Sequence, residues 1–203
     1  MKAAGNALKI GIMGGTFNPV HYGHLRAAEE ARERLLLEKV IFIPAGNPPH
    51  KSENLASAED RYNMTRLAVE DCPYFSVSRI ETDRQGKSYT FETLETLKKN
   101  PEYANAELYF ITGFDAVLDI INWRLPEAIA ALCRIVAVSR TGYTQDKISL
   151  LPENIRKTVI LLEMPLLEIS GTELRRRVTD GKSIKYLVPP SVEKYIAEKG
   201  LYV

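Results

Sequence analysis

The chain reads as an α/β protein built on a doubly wound parallel sheet, and three observations predict it. Short β-rich apolar runs alternate with helical patterns along almost the whole sequence. Strand, helix, strand repeated in this way implies parallel pairing through right-handed crossovers. Several runs, VIFIP and RIVAVS among them, are apolar without alternation, as expected of strands covered on both faces. The segments after the first and fourth strands, GGTFNPVHYGH and GFDAVLDIINW, are rich in chemically capable residues. In such sheets ligands bind past the carboxyl ends of strands, where the strand order reverses.

In chain order, the expected strands are Leu8–Met13, Val40–Pro44, Phe75–Ile80, Glu107–Thr112, Arg134–Ser139 and Thr158–Glu163. Between the first two, Tyr22–Leu36 carries Leu25, Ala28, Leu35 and Leu36 on one stripe, the pattern of a helix packed on a sheet. Ala58–Asp71 comes next, with Ser57 and Asp60 at capping-box spacing and Met64, Leu67 and Ala68 on one side. Further helices are expected over Thr90–Lys99, Phe114–Ile121, Glu127–Leu132 and Ser170–Thr179, and Ser191–Lys199 comes after a Pro-Pro pair. No repeat, low-complexity tract or Gly/Ser linker interrupts the series. Residues 1–203 are therefore expected to form a single domain, with a helical C-terminal segment or subdomain from about residue 165.

Composition narrows the function classes. With 203 residues, 45% hydrophobic and 26% charged, the chain is globular rather than disordered. Its 27 Lys+Arg against 26 Asp+Glu leave a net charge of +1, which argues against a broad nucleic-acid-binding face. No apolar run reaches the roughly 18 residues of a membrane span. The N-terminus, MKAAGNALKIGIMGG, lacks the apolar core of roughly 7–15 residues that marks a secretory signal. A cytoplasmic protein without membrane or nucleic-acid partners is expected, with homo-oligomerisation left open. Cys72 and Cys133 are too few and too far apart for a disulfide framework or a zinc cluster.

The common phosphate-binding motifs do not fit. Gly11, Gly14 and Gly15 miss the G-x-G-x-x-G spacing. The two GKS triplets, Gly86–Ser88 and Gly181–Ser183, would each need a glycine where Glu81 and Arg176 stand. With three histidines in all, there is no H-E-x-x-H.

The first strand leads into Gly14-Gly15-Thr16-Phe17-Asn18-Pro19-Val20-His21-Tyr22-Gly23-His24. Glycines directly after a strand let backbone N–H groups approach an anion. Asn18 either caps the next helix or ends an extended turn, since Pro19 biases it away from helical angles. The helix starting near Tyr22 aims its unpaired N–H groups and positive dipole end at the same place. His21 and His24, three apart, are neighbours on its first turn. Two imidazoles and a helix terminus thus converge on one phosphate.

This string resembles the H-x-G-H signature of nucleotidyltransferases, in the GGTF(D/N)PxHxGH form of bacterial nicotinate-nucleotide adenylyltransferases. The resemblance extends over nearly the entire chain. Ile169-Ser170-Gly171-Thr172-Glu173-Leu174-Arg175 is similar to the family's I-S-S-T-x-I-R, with Gly171 replacing the second serine and Leu174 the isoleucine. It implies a Rossmann-like fold of the H-x-G-H type. It also implies a reaction in which ATP adenylylates nicotinate mononucleotide, giving nicotinate adenine dinucleotide and pyrophosphate for NAD biosynthesis. Close alternatives are the amidated mononucleotide or phosphopantetheine as acceptor, or a catalytically silent nucleotide-binding module.

In that reaction the mononucleotide's own phosphate attacks, so no protein nucleophile is needed. Catalysis reduces to aligning anions and stabilising charge. Two unit charges 4 Å apart repel by about 4 kcal/mol at an effective dielectric of 20, so cations must cluster locally. The resemblance makes His21 and His24 catalytic. It assigns Gly14, Gly15, Thr16, Phe17, Asp115, Ser170, Thr172 and Arg175 to ATP. Lys51 (in Pro48-Pro49-His50-Lys51), Arg140, the Ser88-Tyr89-Thr90 segment and Trp123 are assigned to the mononucleotide. A role for Asp115 in capping a helix and one for Trp123 in the core compete with these assignments. Mg²⁺ is expected to arrive with ATP and, keeping most of its waters, to need no dedicated protein cage.

Overall fold

The computed structural model describes residues 7–48, 55–139, 145–165 and 167–203. Six strands form one parallel sheet: β1 Lys9–Gly15, β2 Lys39–Pro44, β3 Phe75–Val77, β4 Glu107–Gly113, β5 Arg134–Ser139 and β6 Val159–Glu163. The spatial order is β3-β2-β1-β4-β5-β6, so the order reverses between β1 and β4, where Ile12 pairs with Phe110. The doubly wound topology expected from the sequence is present, and its switch point lies where the two chemically rich segments begin.

The helices are α1 Tyr22–Leu35, α2 Ala58–Val69, α3 Thr90–Lys99, α4 Phe114–Leu118, α5 Pro126–Leu132, α6 Glu153–Arg156, α7 Gly171–Thr179 and α8 Pro190–Lys199. Because successive strand residues face opposite sides, the sheet feeds two cores. Val40, Phe42, Tyr109, Ile111, Val136 and Val138 join one with Ala28, Ala31 and Met64. Ile10, Ile12, Ile41, Ile43, Phe110 and Ile135 join the other with Leu94, Val117 and Ile129. Leu174 of α7 and Val192 and Ile196 of α8 belong to the first core, so the helical C-terminal segment packs on the sheet itself. No described helix is long and apolar enough to cross a membrane.

Two expected elements differ, and two further ones appear. The helix expected over Phe114–Ile121 ends at Leu118 and tightens into a 3₁₀ turn over Ile120–Asn122. There Asn122 donates from its backbone to the Asp119 carbonyl and from its side chain to the Asp119 carboxylate, at 2.7 Å. This local side-chain bond competes with continued α-helix. Strand β3 stops at Val77 instead of Ile80, because after Ser78 bonds to Phe42 the chain turns on its own Arg79–Asp83 bond. A 3₁₀ turn over Gln145–Leu150 and the one-turn α6 have no strong periodicity and were not expected. By contrast, the Ser57–Asp60 cap forms as read, with the Ser57 hydroxyl accepting from the Asp60 N–H at 3.0 Å.

Candidate active site

Beyond β1 the chain runs through Thr16 and Phe17 to a cis Asn18–Pro19 bond before α1 begins. The residue capping α1 is His21, in extended conformation, and not Asn18. Asn18 instead serves as the hub of the loop. Its side-chain oxygen accepts from the Ala56 N–H at 3.1 Å and from the Tyr202 hydroxyl at 2.7 Å. Its carbonyl accepts from Arg175 at 2.8 Å.

The two histidines stack, with ring centroids 3.7 Å apart and planes 27° from parallel. The His21 backbone N–H donates to Nδ1 of His24 at 3.3 Å. An imidazole that accepts at Nδ1 carries its proton on Nε2, so the far edge of His24 is a hydrogen-bond donor. Phe17, itself 2% exposed, packs edge-on against His24 at 5.0 Å and against Phe42. Phe17 therefore shapes the site through the imidazole it supports. Burial lowers the His21 pKa to about 4 and, with His21 adjacent, holds His24 well below its ordinary value. Both rings are neutral at pH 7 until an anion compensates. Nδ1 of His21 is buried without a hydrogen-bond partner among the described residues.

Helix α7 brings a second N-terminus to the same loop. Ser170 caps it, its hydroxyl accepting from the Glu173 N–H at 3.1 Å. Thr172 is exposed and accepts from Arg175 at 3.3 Å. A Cβ on Gly171 would lie 2.9 Å from the Asn18 carbonyl oxygen. The departure from the family's serine therefore lets α7 sit tightly on the loop.

On the other side of the β1 end a cavity of about 670 Å³ opens across the switch point. Gly14, Gly15, Thr16, Ser88, Tyr89, Thr90 and Trp123 all line it. Trp123 is partly exposed and edge-on to Phe110 at 5.9 Å, so it both packs on the core and faces the cavity. The Arg124 guanidinium lies 4.7 Å from the Tyr89 ring centroid and bonds to Glu92 at 2.9 Å. Ser88 has a different duty from direct contact alone. Its hydroxyl accepts from the N–H groups of Gly46 and Asn47, tying the loop after β2 to the start of α3. Asp115 lies apart from the cavity lining, exposed in the first turn of α4, whose cap is Gly113. Lys51 and Arg140 lie outside the described residues.

Two supporting residues escaped the sequence reading. Arg61, 1% exposed, donates to the carbonyls of Ala56, Thr16, Ala45 and Gly46, pinning the loops after β1 and β2. Its signal was a charged residue one turn before Met64 on the stripe that α2 turns inward. Glu81, 8% exposed, accepts from the Thr93 hydroxyl at 2.6 Å. Burial raises its pKa, while hydrogen bonds from Thr93 and Ser88 oppose the rise. A Cβ on Gly46 would meet the Glu81 carbonyl oxygen at 2.0 Å, so the β2 loop requires glycine there.

The cytidylyltransferase-like family matches residues 12–177. A protein of Moorella thermoacetica, named as a probable nicotinate-nucleotide adenylyltransferase, is 46% identical over 200 residues. The match covers 96% of this chain and 91% of that one. The chain belongs to the nicotinate-nucleotide adenylyltransferases. Another member, from Thermus thermophilus, is 45% identical over 195 residues, covering 96% of this chain and 100% of its own length. In three dimensions the chain is similar to the Plasmodium falciparum nicotinic acid mononucleotide adenylyltransferase complexed with NaAD. That similarity has a TM-score of 0.77 at 22% identity and covers 96% and 97% of the two chains. It extends the adenylyltransferase fold beyond close sequence relatives.

Proposed function

We propose that this protein transfers the adenylyl group of ATP to nicotinate mononucleotide, forming nicotinate adenine dinucleotide and pyrophosphate. The observation that carries the reading is the stacked His21–His24 pair at the α1 N-terminus, beside a cavity that runs from Gly14 to Trp123 across the β1–β4 switch point. The names of the close relatives point to the same reaction.

In this reading the triphosphate lies over the α1 and α7 N-termini. The Nε2 proton of His24, the Arg175 guanidinium and backbone N–H groups meet the charge that grows on the leaving diphosphate. The acceptor's phosphate oxygen attacks the α-phosphorus. The bond to the bridging oxygen breaks, and its electron pair leaves with pyrophosphate. No side chain becomes covalently attached, which suits a loop whose reactive groups are donors. A polyanion at this place favours the protonated form of His21, whose Nδ1 has no partner among the described residues, whereas His24 donates from Nε2 as a neutral ring.

A Mg²⁺ ion accompanying ATP would supply neutralisation of part of the phosphate charge. The imidazole, guanidinium and backbone N–H groups of the loop suit phosphate oxygens, so the ion would be held chiefly by phosphate and water. Among the described residues no three His, Cys, Asp or Glu side chains cluster to hold a metal.

At the far end, Tyr89 and Trp123 flank the pyridine ring. The first turn of α3, opening at Thr90 and Thr93 on the lining, offers its dipole end to a carboxylate. This favours the acid over the amide acceptor. The test is pyrophosphate release by purified protein with ATP and Mg²⁺, given either acceptor. Release with kcat/KM at least tenfold higher for nicotinate mononucleotide is expected. A preference for nicotinamide mononucleotide would overturn the substrate, and no release with either acceptor would overturn the reaction.

A further inference from the structure

Tyr202 stands far from the motifs in sequence yet touches their centre. Its hydroxyl donates to the Asn18 side-chain oxygen at 2.7 Å, across 184 residues of chain. Its carbonyl accepts from the Thr179 hydroxyl at 2.7 Å, at the end of α7. Its backbone is left-handed, with φ +69°, a conformation that non-glycine residues adopt only when their surroundings hold them there. Bonds at both ends supply that hold. The phenol is partly buried beside Arg175 and Arg61, and burial raises its pKa, so it remains a donor at neutral pH.

The bond has a destination. Asn18 is three residues before His21, and its carbonyl fixes the Arg175 guanidinium. Its side-chain oxygen accepts both from the Ala56 N–H and from Tyr202, which lie 38 and 184 residues further along the chain. Removing the phenolic donor deletes the shorter of these two bonds. The peptide that presents its carbonyl to Arg175 and leads into the histidine pair is then held less firmly.

We propose that Tyr202 is a positioning residue for adenylyl transfer, whose hydroxyl acts through Asn18 to set the geometry of His21, His24 and Arg175. This rests on the reaction proposed above. It adds a residue outside both motif segments and outside the cavity lining.

Tyr202→Phe removes only the hydroxyl and keeps the ring packed in place. A displacement of about 1 Å at a phosphoryl-transfer centre costs up to a hundredfold in rate, so kcat is expected to fall at least tenfold. KM for nicotinate mononucleotide, bound at the opposite end, is expected to stay within twofold. Tyr195→Phe is the matched control, because it deletes a similar phenol bond, 2.9 Å to Asp60, and leaves both donors to the Asn18 side-chain oxygen in place. It should leave kcat unchanged. Asn18→Ala and the Tyr202→Phe/Asn18→Ala pair should be equally slow, since both cut one path. Imidazole NMR titration of Tyr202→Phe should also shift the His21 and His24 resonances, which requires no turnover. If wild-type protein releases no pyrophosphate, the proposed reaction fails, and the titration still judges Tyr202. Unchanged kcat, an equal loss in Tyr195→Phe, multiplicative losses with Asn18→Ala, or unshifted imidazoles would each overturn the proposal.

Discussion

At the scale of single residues, the protonation of two histidines governs the site. Above pH 6.5 neither folded nor unfolded chain binds these protons, so they leave stability unchanged. As pH falls through 6.5 the unfolded chain is protonated first, because burial holds His21 at about 4 and His24 well below its ordinary value in the fold. Stability from this pair is therefore lost between about pH 6.5 and 4. Urea midpoints measured from pH 7.5 to 5 should fall for wild type and fall less for His21→Asn/His24→Asn; equal slopes would contradict this. His24→Ala should lower kcat about a hundredfold or more while weakening ATP binding only a few-fold, since its donor matters most as charge develops. Equilibrium ATP titration beside single-turnover rates separates the two effects, and equal losses would make His24 a ground-state anchor instead.

At the scale of elements, the loops beyond β1 and β2 are held by a guanidinium, not by a motif residue. Arg61→Met should leave partly buried carbonyls at Thr16, Ala45, Gly46 and Ala56 short of a donor and cost about 2–4 kcal/mol. A urea midpoint shift worth under about 1 kcal/mol would show that water replaces it. This is where sequence reading reached its limit. The strands and most helices were legible because two-residue alternation and 3.6-residue stripes are local signals. The catalytic loop was legible because its residue types are contiguous. Of the two roles open to Asn18, the cap falls to His21, and the partners that decide this, Ala56, Arg175 and Tyr202, are distant in sequence. Likewise, nothing local shows that Arg61 has four backbone acceptors.

At the scale of the whole molecule, the switch point divides labour between its two sides. Backbone donors and imidazoles gather on the α1 and α7 side, whereas aromatic rings and the α3 N-terminus gather around the cavity. The two sides should be separable by mutation. Trp123→Ala is expected to raise KM for the mononucleotide about tenfold and leave ATP affinity within twofold. Its effect on kcat/KM should multiply with that of His24→Ala, since the sites share no contact. An unfolded Trp123→Ala protein would instead show that the core contact with Phe110 dominates.

The most direct test is a crystal structure with a non-hydrolysable ATP analogue. The proposed reaction requires the β- and γ-phosphates within hydrogen-bonding distance of His24 Nε2 and of donors at the start of α1 or α7. A triphosphate bound elsewhere, with both imidazoles still unoccupied, would contradict it.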